Sequence, residues 1–415
     1  MSIIYNIISN MAWQILKIAA LFSPKIKLFV KGRTTVFEDL KKAFSPSDKI
    51  VWFHCASLGE FEQGRPIMEQ IKKDCPQLKI LLTFFSPSGY EVRKNYEGAD
   101  FICYLPFDTA TNAKQFVSFL NLELAIFVKY EFWPNYLLQL KKQQVKTVLV
   151  SGIFREKQVF FKWYGTWMRK VLQGMDTFFV QDTTSKLLLN NIGIDKVIVA
   201  GDTRFDRVFE ITKQDNYIDF IADFINDSYV LVAGSTWKED EELLVNYINN
   251  KATDKEKFII APHNMKPDDI KRLQETIQKK VVLFSEKEGK DLKEYQVFIV
   301  DTIGILTKIY SRASVAYIGG GFTKSGVHNV LEPATFGLPL IIGPNYAKFN
   351  EAIALLREKG CFSIRNSEEL NPLLTRFYTD DTYRKSTGEK SLNYVIKNIG
   401  ATQITINSLQ LCEKN

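Results

Sequence analysis

From Lys49 onward the chain alternates short, continuously apolar runs with longer amphipathic stretches. The runs are KIVWFHC, KILLTFF, FICYLPF, LELAIFV, KTVLVSG, TFFVQD and KVIVAGD. A run that is apolar at every position, rather than at alternate ones, marks a strand covered on both faces, as in a parallel sheet. Between the runs, PSGYEVRKNYEG and PNYLLQLKKQQ place Pro near a first turn and Lys late, which predicts helices. After GDTRFDR comes a polar stretch, and a second series follows: YVLVAGS, KFIIAPH, VVLFS, QVFIVD, VAYIGGG and PLIIG, with DDIKRLQETIQKK as its clearest helix. Two such series in tandem predict an α/β protein with two doubly wound, Rossmann-like domains, ligands being expected in a central cleft at the strand C-termini. The boundary falls near residues 205 to 228. The expected division is 1–33, 34–207, 208–385, and a helical segment 386–415 that is free to pack back on the N-terminal domain.

The first residues follow another pattern. SIIYNIISNMAWQILKIAALF is apolar enough to suggest a membrane span, which needs ~20 apolar residues. On a helical wheel, however, Ser2, Asn6, Ser9, Asn10, Gln14 and Lys17 fall within an arc of about 140°, and most of the Ile, Leu, Met and Phe lie outside it. This predicts an amphipathic helix. Lys25, Lys27, Lys31 and Arg33 follow, the basic flank of a helix lying on an anionic leaflet or of a single span. An ordinary docked helix is the remaining reading. A cleaved signal peptide is disfavoured, because no charged segment precedes the apolar part.

Composition narrows the classes. At 415 residues the chain is too long for one ordinary domain. The formal charge of +7 suits an anionic ligand or membrane surface without demanding nucleic acid. Cys55, Cys75, Cys103, Cys361 and Cys412 are odd in number and scattered, and suggest neither a disulfide framework nor a zinc site. A reducing cytoplasm fits best.

Rare polar residues mark the loops. The three histidines, His54, His263 and His328, each lie just beyond an expected strand, which a ligand cleft there would explain together. Ser57 and Glu60 have the spacing of a capping box, and a Glu that caps its own helix competes with a Glu that accepts a substrate proton. Glu131, just before Phe132, Trp133 and Pro134, offers a second strand-end carboxylate for proton transfer. In VAYIGGGFTKSGVHNVLEPATFG, Gly319, Gly320 and Gly321 would let backbone N–H groups approach an anion, and a helix opening near Asn329 would aim its positive end there. Glu332 suits a ribose. Thr302, Ile303 and Gly304, after Asp301, form another strand-to-helix turn, and Ser235 with Thr236 a third.

In order along nearly the whole chain, these residues resemble the 3-deoxy-D-manno-octulosonic acid (Kdo) transferases: H-x-x-S-x-G-E at His54 to Glu60, YLPFD, E-x-WPN at Glu131, GDTRFD, GSTWKEDEE, DTIG and GGG with HNVLEPA. The resemblance implies a GT-B fold and an inverting glycosyltransferase at the cytoplasmic face of the bacterial inner membrane, acting in lipopolysaccharide inner-core synthesis. It implies CMP-Kdo as donor and the glucosamine disaccharide of a lipid A precursor as acceptor. It makes Glu60 the general base and maps nucleotide contacts to Ile303, Gly304, Asn329 and Glu332, with His328 nearby. The donor carries one phosphate and its own carboxylate, so no metal or other cofactor is expected. His54, Ser57, Gly59, Lys129 and Arg204 fall on the acceptor side or shape its loops.

Three positions depart from the family pattern. Pro262-His263-Asn264 stands where Pro-Arg-His is usual, Ile305 where Glu is usual after DTIG, and Lys129 where an acid usually precedes Glu131. Lys129 and Arg204 are the cations available to substitute near the nucleotide. The rival readings are a UDP-sugar-dependent lipid glycosyltransferase, a sugar-nucleotide epimerase needing no anchor, and an inactive nucleotide-sugar-binding scaffold.

Overall fold

The computed structural model describes residues 2–411. The chain forms two compact units, one of residues up to Arg207 together with those from Ile399, the other of Val208–Asn398. The helix Asp381–Asn398 lies wholly in the second unit. The tail boundary expected at 386 therefore falls inside a continuous helix, and the returning segment is only the helix Ala401–Leu409. Asp206 accepts its first backbone N–H groups, from Gly400 and Thr402.

Each unit holds a seven-stranded sheet, parallel throughout. In the N-terminal unit the strands are β1 (Ile50–Cys55), β2 (Lys79–Phe84), β3 (Phe101–Tyr104), β4 (Leu122–Val128), β5 (Lys146–Gly152), β6 (Thr177–Val180) and β7 (Val197–Val199). Their order is β3-β2-β1-β4-β5-β6-β7, so the winding reverses between β1 and β4. The continuous apolar runs arise because both faces are covered. Trp52 and Phe127 pack on one side, Val51, Phe53 and Ile126 on the other, all without solvent contact.

The second sheet contains β8 (Tyr229–Thr236), β9 (Glu256–Pro262), β10 (Val281–Leu283), β11 (Val297–Ile299), β12 (Val315–Ile318), β13 (Leu340–Ile342) and β14 (Cys361–Ser363). Its order, β10-β11-β9-β8-β12-β13-β14, reverses between β8 and β12. Such reversals open the crevice where doubly wound domains bind ligands. Pro87, Pro134 and Pro267 each open a helix, as their fixed φ and missing N–H favour. Cys55, Cys103 and Cys361 are free and buried. Cys412 lies outside the described residues.

The N-terminal helix runs Ser2–Ala19 and is followed by the helix Pro24–Lys31. Its orientation inverts the usual amphipathic arrangement. Tyr5, Ser9 and Trp13 face the domain: the Tyr5 hydroxyl donates to Asp108 at 2.7 Å, and Trp13 stacks on Phe107 at 5.2 Å. Burial pushes the Asp108 carboxyl up to about 6. The Ile-rich face, comprising Ile3, Ile4, Ile7, Ile8, Met11, Ile15 and Ile18, is left exposed. The docked-helix reading, in which the apolar face covers a core, is thereby overturned. No helix among the described residues is long and apolar enough to cross a membrane.

Candidate active site

In the N-terminal domain the loops after β1 and β4 flank the reversal point. Ser57 occupies the N-cap position of the helix Leu58–Asp74 with extended backbone, yet its side chain caps no backbone N–H. Its hydroxyl donates instead to Glu60 Oε2. The capping-box spacing is present, but the two side chains bond each other, so Glu60 is not committed to its own helix. The other oxygen, Oε1, lies 3.6 Å from Lys129 Nζ. Lys129 directly follows β4 with φ 70°, a left-handed conformation that a side-chain-bearing residue adopts under constraint from its surroundings.

His54 is inside β1 and fully buried, rather than beyond the strand as expected. The Trp133 indole N–H points to His54 Nε2 at 3.0 Å and to Glu131 Oε2 at 2.9 Å. With Nε2 receiving that donor, the ring proton sits on Nδ1, which is 2.9 Å from Thr83 Oγ1. Thr83 Oγ1 also accepts the Trp52 indole N–H at 2.8 Å and donates to the Phe53 carbonyl at 3.2 Å. Every polar atom of this network has a partner. Glu131 Oε2 lies 3.4 Å from His54 Nε2, so buried groups hold this carboxylate in place while Glu60 rests on a flexible lysine and a serine.

Gly59 lies in the first turn of the helix, not in the turn before it. A side chain there would meet only Ser57 Oγ at 3.8 Å, so the protein's own packing does not demand glycine. Arg204 is held within its own motif. Its Nε and Nη2 lie 2.9 and 2.8 Å from Asp202 Oδ2, and Asp202 Oδ1 accepts the Gln63 amide at 3.1 Å. The GDTRFD motif is thus a clamp on the helix Leu58–Asp74 and a cap for the final helix. Lys129 and Arg204 both belong to the N-terminal domain and already face carboxylates there.

In the C-terminal domain the loops after β8 and β12 meet at the second reversal point. Trp237 donates its indole N–H to His328 Nε2 at 3.1 Å. His263 stacks flat against both rings, 4.8 Å from Trp237 and 4.5 Å from His328. The same logic puts the His328 proton on Nδ1, for which no partner stands among the described residues. Burial, and then the neighbouring His263, lower the His328 pKa, which favours the neutral ring. The His263 backbone N–H reaches the Thr236 carbonyl at 2.9 Å, tying the end of β9, at Pro262, to the end of β8. Ser235, beside it, has φ 55°.

The glycine turn is explained largely by packing. A side chain on Gly319 would sit 2.3 Å from the Ser235 carbonyl, and one on Gly321 2.5 Å from the Gly343 nitrogen. The Gly320 N–H, expected to face an anion, instead donates to Asp240 Oδ2 at 2.9 Å. Asp240 is buried and also accepts the Trp237 N–H and the Tyr317 hydroxyl, so it fastens the Trp237 loop to the glycine turn. Glu332 accepts from Thr307 at 2.7 Å and Asn329 at 2.9 Å, which links the helix Leu306–Tyr310, just after the Thr302–Gly304 loop, to the HNVLEPA segment. Ile303 is 86% exposed, and Gly304 has φ 97°. A polar cavity of about 130 Å³ lined by Thr236, Trp237, Asn264 and Arg272 adjoins this region, and Arg272 pairs there with buried Glu241 at 2.7 Å.

Thr83, Trp133, Trp237 and Asp240 were missed by motif reading. Trp133, Trp237 and Asp240 lie within the quoted motifs E-x-WPN and GSTWKEDEE, whereas Thr83 left no signal.

Two doubly wound domains, each with polar loops at its reversal point, define the GT-B class. Solved structures agree: UDP-GlcNAc 2-epimerase from Neisseria meningitidis superposes with TM-score 0.61 at 16% identity, over 87% of this chain and 99% of that one. MurG from Acinetobacter baumannii gives 0.52 at 10% identity, over 88% and 100%. The sequence goes further. Residues 31–207 match the family model described as 3-deoxy-D-manno-octulosonic-acid transferase (kdotransferase). A 3-deoxy-D-manno-octulosonic acid transferase of Chlamydia trachomatis is 28% identical over 83% of this chain and 82% of its own length. One from Aquifex aeolicus is 28% identical over 82% and 90%. The chain is thus similar to Kdo transferases over most of its length and is a glycosyltransferase.

Proposed function

We propose that this enzyme transfers Kdo from CMP-Kdo to the glucosamine disaccharide of a lipid A precursor, with inversion at the anomeric carbon. The observation that carries this reading is the Glu60 carboxylate, presented at the reversal point and released from helix capping by its bond to Ser57. A glucosamine hydroxyl gives its proton to Glu60 as its oxygen attacks the anomeric carbon of Kdo. The bond from that carbon to the phosphate oxygen breaks, and CMP leaves with the electron pair. Glu131, fixed by Trp133 and His54, is the second carboxylate and shapes the acceptor side. In the C-terminal domain, His328 Nδ1–H, His263 and the loops at Ser235–Thr236, Ile303–Gly304 and Asn329 are donor contacts. The reading calls on no cofactor.

Lipid substrate and surface fit together. The exposed Ile-rich face of the N-terminal helix and the Lys25, Lys27 and Lys31 flank support a peripheral seat on the cytoplasmic face of the inner membrane. Burying that face in a bilayer is worth of order 10 kcal/mol from apolar area alone. The test is to incubate purified protein with CMP-Kdo and a lipid A precursor and weigh the product. A gain of one or more Kdo residues is expected. Release of CMP without a heavier lipid, or no reaction, contradicts the reading.

A further inference from the structure

The turn before the helix Thr166–Leu172 displays Trp163, which is 89% exposed, and Tyr164, which is 57% exposed. Their rings meet edge to face at 5.5 Å, so they form one protruding aromatic unit. The turn is built rather than loose. Arg169 donates from Nη1 to the Phe160 and Lys162 carbonyls at 3.0 and 2.9 Å, and from Nη2 to Thr166 Oγ1 at 2.7 Å. Gly165 closes it so tightly that a side chain there would lie 1.9 Å from the Val159 carbonyl oxygen. Beneath the turn, Phe160 is buried against Phe132 and Phe154. A rigid mount that holds an indole in water is unfavourable by itself and calls for a partner.

We propose that Trp163 and Tyr164 are a second membrane contact, an aromatic wedge that seats in the interface of an anionic bilayer. This rests on the membrane reading of the N-terminal helix. Two observations select a bilayer. Trp167, one turn further on, packs against Tyr5 at 5.4 Å, so the wedge borders the segment of the N-terminal helix that exposes Ile4 and Ile8. The flanking charges, Arg155, Lys157, Lys162 and Lys170 against Glu156 alone, complement anionic headgroups. Trp and Tyr, apolar bodies with a polar tip, favour the headgroup level of a bilayer. A helix and a separate wedge fix the domain's orientation on the surface, which a single helix does not.

The test uses the full-length protein and vesicles of phosphatidylcholine with or without phosphatidylglycerol. The difference between wild type and Trp163→Phe isolates the emission of that one indole. It should shift to the blue and be quenched by brominated acyl chains when anionic vesicles are added. Trp163→Ala with Tyr164→Ala should weaken vesicle partitioning by about 10-fold and leave the thermal midpoint and CMP affinity unchanged. If the protein binds vesicles while Trp163 keeps its water-exposed emission, the wedge is overturned and the helix reading stands. If the wild type does not bind vesicles, both fall.

Discussion

Both domains place an indole N–H against a histidine Nε2 across the point where the winding reverses, Trp133 with His54 in one and Trp237 with His328 in the other. The two pairs differ in what becomes of the second ring nitrogen. In the N-terminal domain it is closed off by Thr83 within a fully buried network, so His54 serves as framework beside the carboxylates Glu60 and Glu131. In the C-terminal domain the ring is half-buried and its Nδ1–H has no partner among the described residues, while the nearby acids Asp240 and Glu332 fasten loops to one another. A site whose carboxylates, Glu60 and Glu131, stand on strand-end loops and are held by side chains alone suits proton acceptance. A site with available N–H groups suits an anion. The same local device has been turned inward in one domain and outward in the other.

This contrast can be broken in graded steps. The largest effect is expected at Glu60: Glu60→Gln should lower turnover by about 100-fold or more. Next, His54→Ala should destabilise the N-terminal domain by about 3 kcal/mol in denaturant unfolding, through a cavity and orphaned buried partners. His328→Ala should cost the C-terminal domain much less stability and weaken CMP binding about 10-fold by calorimetric titration, one lost hydrogen bond to a charged group. Comparable destabilisation by the two histidine variants would remove the contrast.

A smaller effect concerns pH. The folded-state pKa of His328 lies below its unfolded value, so the unfolded chain binds more protons as pH falls through that window. Its stabilising contribution is therefore complete above the ordinary histidine range and is lost on acidification. Thermal midpoints measured from neutral to mildly acidic pH should fall more steeply for wild type than for His328→Gln. Equal slopes would contradict the inward pressure of burial on this ring.

Much of the fold was legible because buried parallel strands read as unbroken apolar runs. The strand that escaped, β14, has only Cys361, Phe362 and Ser363 at the sheet edge, too short and too polar to stand out. His54 was misplaced because a run's apolar pattern does not mark where its strand ends. The loops bearing Glu60 and Glu131 were legible from motif order. The partners that define their roles were not, since Thr83 reaches His54 only because β2 lies beside β1, and Trp133 only because β4 does. Asp240 and Trp237 likewise gain meaning from β8 lying beside β12. The wheel gave the N-terminal helix two faces, but which face is covered depends on Tyr5 and Trp13 finding Asp108 and Phe107 in a distant loop.

The central claim is that Glu60 is a base and not a cap or a binding group. It is tested most directly by single-turnover Kdo transfer from CMP-Kdo to the lipid A precursor, followed by mass spectrometry for wild type and Glu60→Gln beside a CMP titration of each. The account predicts a Kdo-bearing product from the wild type, almost none from the variant, and the same CMP affinity in both. Near wild-type product formation by Glu60→Gln would contradict it.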